Sequence, residues 1–158
     1  MSKRLTVLLS IVLVVVVGGT VAYAQTDSEA GTVLRGKGSL KASGSGSVNI
    51  EMSGVLALAA DGDVTILDNS GDARVHILSH GDREAGANEL TGESSYELSG
   101  FQGIVRVVGS DFAVETAGFT ALRARGSGSA ELNGDGVWKT RADWGFWTEN
   151  GVRLHLEP

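Results

Sequence analysis

The chain of 158 residues carries 13 Lys and Arg against 19 Asp and Glu, a net charge of −6, and it contains no cysteine. This acidic balance argues against nucleic acid and against electrostatic docking on anionic lipid, because both partners need a basic surface. Glycine is abundant, at 23 residues, but the only proline is Pro158. Disordered linkers usually combine glycine with proline, so this composition favours pleated sheet.

Residues 1–24 have the pattern of a secretory signal peptide. Lys3 and Arg4 precede a largely apolar run over residues 5–17, and the small-x-small sequence "AYA" follows at residues 22–24. We predict cleavage before Gln25, which leaves a secreted or extracytoplasmic chain of the cell envelope. Loss of the two basic residues takes its net charge to −8. The alternative is an uncleaved anchor, since the apolar segment approaches the ~20 residues of a membrane span, and membrane association is expected only by that route.

Residues 34–66 alternate between apolar and polar types at almost every step. The even-numbered positions hold only glycine and apolar residues, and most odd-numbered positions are polar. Such alternation is typical of strands with one buried face. Glycines recur every eight residues along this stretch, at Gly38, Gly46, Gly54 and Gly62. A two-residue hairpin would reverse the inward parity, so the unbroken parity predicts either odd-length turns or long strands that bend at inward-facing glycines without reversing.

The pattern returns near the end of the chain. With an offset of 90, residues 36–48 align with residues 126–138, and glycines spaced by eight recur at Gly118, Gly126 and Gly134. We interpret residues 34–67 and 122–141 as an internal repeat of two glycine-bent ribbons. Both belong to a single predicted all-β domain over residues 25–158.

The middle of the chain has different signals. "DNSGD" at residues 68–72 is a turn by composition, and the apolar positions after it become odd-numbered. Residues 80–95 are polar and predict a long exposed loop, and several short apolar runs follow. The sequence therefore predicts an all-β fold, a mostly antiparallel barrel, roll or sandwich of about ten to twelve short strands with glycine bends. A β-solenoid is the alternative.

Two stretches could bind a metal ion. In "HILSHGDRE", His76 and His80 would lie about 13 Å apart on a strand, whereas His80 and Asp82 could chelate weakly at a loop tip. The other interpretation of this stretch is a strand that runs into a solvated, charged loop. Calcium is conceivable at the carboxylates of "ADGD" (Asp61, Asp63) and "DNSGD" (Asp68, Asp72), but Asp and Asn are also ordinary turn residues. We expect no cofactor.

The segment "VWKTRADWGFWTENG" contains all three tryptophans together with Phe146. Even parity would place Trp138, Trp144 and Phe146 on the inner face and Trp147 outside. One interpretation is that these rings fill one end of a barrel. The other is an aromatic platform for sugar rings or a partner surface, formed by Trp144, Phe146 and Trp147, with Trp147 the best candidate for an exposed contact.

The runs "GSGSVNIEMSG", "GDVTIL" and "GSGSAELNGDG" resemble the alternating Gly-Ser-Gly strands of bacterial exported adhesin-head-like repeat domains, the auto-transporter adhesin head or GIN-type family. The resemblance implies an extracellular, non-enzymatic all-β module and brings no catalytic motif. We therefore expect a structural or adhesion-type β-protein, without enzymatic activity, whose partner would be a glycan or another cell-surface molecule. The alternative is a carbohydrate- or ligand-binding module that uses the Trp-rich C-terminal region.

Overall fold

A computed structural model describes residues 33–79, 88–90 and 95–157. These residues form seven strands and no helix: β1 (Val33–Lys37), β2 (Ser39–Asp68), β3 (Arg74–Ser79), β4 (Asn88–Leu90), β5 (Ser95–Thr140), β6 (Trp144–Trp147) and β7 (Val152–Glu157). All described strand pairs are antiparallel except β1 with β7. The predictions of an all-β and mostly antiparallel fold are confirmed.

The fold is dominated by two very long strands, β2 with 30 residues and β5 with 46. From Leu40 to Met52, each residue of β2 pairs with β5 on both sides; Val48, for example, lies between Thr116 and Leu132, which are sixteen residues apart in β5. Two stretches of β5 therefore flank the same stretch of β2, one on each side. A single continuous strand can do this only if it winds around and returns. The two strands therefore wind as a coil, with about sixteen residues of each strand per turn along this stretch.

This coil explains where the expected strand count departs from the structure. The expected ten to twelve short strands are largely bent portions of β2 and β5. The chain bends at its glycines without reversing, which is the second of the two possibilities that the unbroken parity predicts: long strands that bend, and not odd-length turns. The sheet that the described strands form is also not closed: its strand order runs from β1 through β7, β5 and β3 to β4, and β2 and β6 pair with β5 off this path. Of the predicted shapes, a closed barrel is therefore not confirmed.

The bends lie at two rows of glycines that stack across neighbouring strands. One row contains Gly134, Gly46, Gly118 and Gly62, and the other contains Gly38, Gly126, Gly54 and Gly109. Gly46 has a φ of 141°, and a Cβ added there would lie 2.8 Å from the Cα of Gly134. Only glycine tolerates both this backbone conformation and this approach of two backbones. We call these sets the two glycine rows.

The core fills the inside of the coil with the even-numbered side chains of β2 and their neighbours. One buried ladder crosses five adjacent strand segments in the order Leu40, Ala124, Leu56, Val107 and Val75. Two buried hydroxyls pair with each other there: the Oγ1 atoms of Thr116 and Thr120 lie 2.8 Å apart on either side of the Gly118 bend. Every side chain in the ladder is apolar, so burial and strand pairing together stabilise the coil.

Replacement of Gly46 by valine should lower the free energy of unfolding by about 1–3 kcal/mol or more, because the new side chain meets the neighbouring backbone at a φ that valine disfavours. Ser45→Val is the matched control, since Ser45 is exposed on the same strand and should change stability little. Urea unfolding of both variants measures the difference. Equal effects at the two positions would show that the bend does not depend on glycine.

Candidate functional site

A two-residue turn, Arg141 and Ala142, reverses the chain between β5 and β6. The Oγ1 of Thr140 accepts hydrogen bonds from the amides of Ala142 (3.2 Å) and Asp143 (3.0 Å), and the Thr140 amide donates to the Asp143 carbonyl at 2.8 Å. Residues that flank a two-residue turn point to the same side of the ribbon. The inward positions therefore change from even-numbered in β5 to odd-numbered in β6.

This change of parity determines which aromatic rings are accessible. Trp138 and Trp147 are buried, with 4% and 1% of their surface exposed, whereas Trp144 and Phe146 are 65% and 67% exposed. The inward placement predicted for Trp138 is confirmed. The sides predicted for Trp144, Phe146 and Trp147 are wrong, because even parity was extended through a turn that reverses it. Trp147, the best exposed candidate by sequence, is part of the core.

The two buried indoles occupy space that glycines leave free. A Cβ added at Gly44 would lie 2.6 Å from the Cζ2 of Trp147, and one added at Gly145 would lie 2.9 Å from the Cζ2 of Trp138. Neither indole N–H has a hydrogen-bond partner among the described residues. Trp138 and Trp147 thus act as packing residues, and the accessible aromatic surface of this hairpin belongs to Trp144 and Phe146.

Trp144 and Phe146 form an exposed edge-to-face pair, with ring centroids 5.8 Å apart and an interplanar angle of 75°. Trp144 also lines a shallow cavity of about 410 Å³, together with Val137, Lys41 and Lys139. The cavity is thus lined by one exposed tryptophan and by two lysines. This arrangement can bind a ligand that presents both a flat apolar surface and polar or anionic groups.

The outer surface of the sheet beside this hairpin carries a row of cations. Strand register places seven residues side by side on neighbouring strand segments, in the order His76, Arg106, Ala57, Arg123, Lys41, Lys139 and Trp144. The four Lys and Arg side chains are exposed, and none forms an ion pair with another described side chain. We call these four residues the cation row. Sequence analysis missed it because its members lie far apart in the chain, and only the register brings them together.

A row of mostly apolar side chains runs next to the cation row, two residues further along each strand. Its members, in order across the sheet, are Leu78, Ile104, Ala59, Ala121, Ser43, Val137 and Phe146. The four large side chains of this apolar row are all exposed. We call the surface that carries both rows the basic face.

The outer surface half a turn further along the coil is acidic. Register places Glu97, Thr65, Glu115, Asn49, Glu131 and Arg153 side by side there. Arg153 and Glu131 form an ion pair at 3.1 Å, and the Asn49 amide donates to Glu115 at 3.4 Å. A neighbouring groove of about 600 Å³ is lined by Glu51, Asp111 and His155, among others. Although the net charge is −6, the basic and acidic side chains are thus concentrated on two different faces.

The residues that the sequence suggests as metal ligands lie in two parts of the chain. His80 and Asp82 lie outside the described residues. In the strand register His76 lies between Arg106 on β5 and Glu89 on β4. Within the described ranges, no three His, Asp or Glu side chains are grouped so that they could hold a metal ion. The carboxylates of Asp61 and Asp63 accept hydrogen bonds from Gln102 and from the Gly100 amide.

The "DNSGD" turn links β2 to β3, and its two carboxylates brace it. Asp68 is buried and accepts hydrogen bonds from the amides of Gly71 and Ala73, each at 2.8 Å. Asp72 accepts from the Ser70 hydroxyl at 2.6 Å and from the Ser110 amide and hydroxyl at 2.8 and 2.7 Å. The bonds from Ser70 and then Ser110 lower the pKa of Asp72 to about 2. Both carboxylates hold the backbone of the turn.

No protein-family model, curated protein or solved structure matches this chain. Over the ranges that the structure describes, no helix is long and apolar enough to cross a membrane.

Stability should fall as the pH is lowered through the folded-state pKa of Asp72. That pKa, about 2, lies below the ordinary value of 3.8, so the hydrogen bonds favour the charged form. The resulting stabilisation is present above about pH 4 and is lost as the pH falls towards about 2. Urea unfolding between these pH values should show a flatter decline for Asp72→Asn, and for Ser70→Ala with Ser110→Ala, than for the parent. Identical slopes would contradict this role of Asp72.

Proposed function

We propose that this chain is an exported, non-enzymatic β-protein of the cell surface or extracellular space, with a structural or adhesion-type role. The observation that supports this proposal most strongly is the pairing of β2 with β5 on both sides. Backbone N–H and C=O groups along the coil are thereby hydrogen-bonded on both edges, which stabilises a chain that has no cysteine and hence no disulfides.

The shape that suits this role is a roll with two sides that meet at the glycine rows. One side presents the basic face and the other presents the acidic surface, so the protein offers two chemically different surfaces to its surroundings. Among the described strands, the short strands β1 and β4 lie at opposite ends of the strand order, and the short strand β6 pairs only with β5. Short edge strands limit unwanted edge-to-edge pairing, as a protein displayed outside the cell requires.

The N-terminal segment supplies the argument for export, and a reporter fusion tests it. A reporter enzyme that is active only outside the cytoplasm, fused after Pro158, should be active in cells that produce the full chain. Leu13→Arg is the control, because a charge in the apolar run should abolish export and with it the reporter activity. An inactive reporter on the parent chain would contradict the proposal.

A carbohydrate-binding module is the second candidate, and the exposed Trp144–Phe146 pair favours it. The indole of Trp144 offers an exposed apolar surface, and Lys41 and Lys139 at the adjoining cavity can donate hydrogen bonds to hydroxyl or carboxylate groups. Trp147 cannot take part, since it is buried.

Titration of the intrinsic tryptophan fluorescence with a panel of soluble glycans tests this second candidate. A binding module should show a saturable change in emission that is lost in Trp144→Phe and kept in Leu67→Ala, a control on the acidic side. No response to any glycan would eliminate the carbohydrate-binding module.

A further inference from the structure

The cation row sets like charges against each other without a partner. Arg123 lies directly opposite Lys41, and Lys41 lies directly opposite Lys139. Directly opposed side chains on antiparallel strands have Cβ atoms about 5 Å apart, and like charges in that arrangement are destabilising. On the same face, Glu89 pairs with His76 at one end of the row, and Asp61 and Asp135 lie beyond the apolar row. An anionic ligand would relieve this repulsion.

The basic face also gathers most of the exposed cationic and large apolar side chains among the described residues. Arg74 and Arg125 extend the cation row by one further row. Five of the exposed large hydrophobic side chains belong to the basic face, namely Leu78, Ile104, Val137, Trp144 and Phe146; Phe119 lies in the next row, opposite Asp61, and Leu67 lies on the acidic side. The ligand must therefore satisfy both positive charge and apolar surface.

We propose that the basic face docks on the surface of an anionic lipid bilayer. Phosphate groups of the lipid heads pair with Lys and Arg, while neighbouring aliphatic and aromatic side chains enter the boundary between head groups and acyl chains. Trp144 and Phe146 are of the aromatic class enriched at that boundary. The row from His76 to Trp144 spans seven strand segments, about 29 Å at the usual strand spacing, and so covers several lipid heads.

Two other occupants fit less well. A soluble polyanion would pair with the cations but would leave the apolar row without a partner. A second copy of this chain could offer its acidic side, but there the only exposed large hydrophobic side chain among the described residues is Leu67. A bilayer alone matches both rows.

The acidic net charge does not prevent this docking. At physiological ionic strength the screening length is about 8 Å, whereas packed sheets lie about 10 Å apart. The carboxylates on the far side of the coil are thus largely screened from a surface that touches the basic face. The attraction to an anionic bilayer therefore depends on the charge of the basic face and not on the net charge of the chain.

Quenching of Trp144 by lipid tests the proposal on the full chain. The N-terminal 32 residues contain no tryptophan, and Trp138 and Trp147 are buried, so Trp144 is the accessible reporter even where the N-terminal segment holds the protein on vesicles. Vesicles of brominated phosphatidylcholine, with or without phosphatidylglycerol, are titrated into the protein. We expect a blue shift and quenching with the anionic vesicles, and little of either with the neutral ones.

Charge reversals separate the face from the net charge. Arg123→Glu with Lys139→Glu should raise the lipid concentration for half-maximal quenching at least about tenfold. The control, Glu51→Lys with Glu97→Lys on the acidic side, raises the net charge but should leave Trp144 quenching unchanged. Both pairs of residues are exposed, so neither variant disturbs the core.

Three results would overturn the proposal. Equal quenching by neutral and anionic vesicles, or none by either, would show that the basic face does not recognise anionic lipid. A change in Trp144 emission with dextran sulfate but not with vesicles would assign the face to a soluble polyanion. Salt-sensitive self-association without lipid, together with no quenching, would assign it to a second copy of the chain.

Discussion

The close approach of backbone to backbone at the two glycine rows is the constraint on which the rest of the structure depends. At Gly46 and its stacked partners a side chain would meet the neighbouring strand, and the positive φ bends the strand without reversing it. Because the bends recur every eight residues, β2 and β5 can continue through them and pair with each other on both sides. The buried ladder from Leu40 to Val75 and the packing of the two inner tryptophans both follow from that coil.

The same coil creates the surfaces. Residues such as Lys41, Arg106, Arg123 and Lys139 lie far apart in the chain but side by side in the sheet, because each turn of the coil returns a strand to the same face. Each turn of the coil takes about sixteen residues, of which about eight lie on each side. Charged residues eight positions apart along a strand therefore lie on opposite sides, and one side is basic and apolar whereas the other is acidic. Two surfaces of opposite character on one coil suit the structural or adhesion-type role that we propose.

The sequence predicts local features of this fold well and non-local ones poorly. Parity and glycine spacing identify the inward positions of β2 and the bends, because both depend on neighbouring residues only. The cation row depends on strand register, which no local pattern encodes. The prediction of ten to twelve short strands treats each glycine bend as a turn, whereas β2 and β5 continue through these bends. At the hairpin, the parity pattern assigns Trp144, Phe146 and Trp147 to the wrong sides of the sheet because a two-residue turn intervenes. The sequence "TRAD" indicates this turn, since its Thr140 accepts hydrogen bonds from two turn amides. His80 and Asp82 lie outside the described residues, so their metal role stays a prediction.

The double-sided pairing of the long strands is the central claim, and nuclear Overhauser contacts between backbone protons test it most directly. In the coil, the backbone protons of Val48 should show short contacts both to Thr116 and to Leu132, sixteen residues apart in β5. The same two-fold pattern should appear at Ala42, with Leu122 and Trp138. Contacts from each of these residues to only one stretch of β5 would show that the strands run side by side without coiling, and would contradict the account.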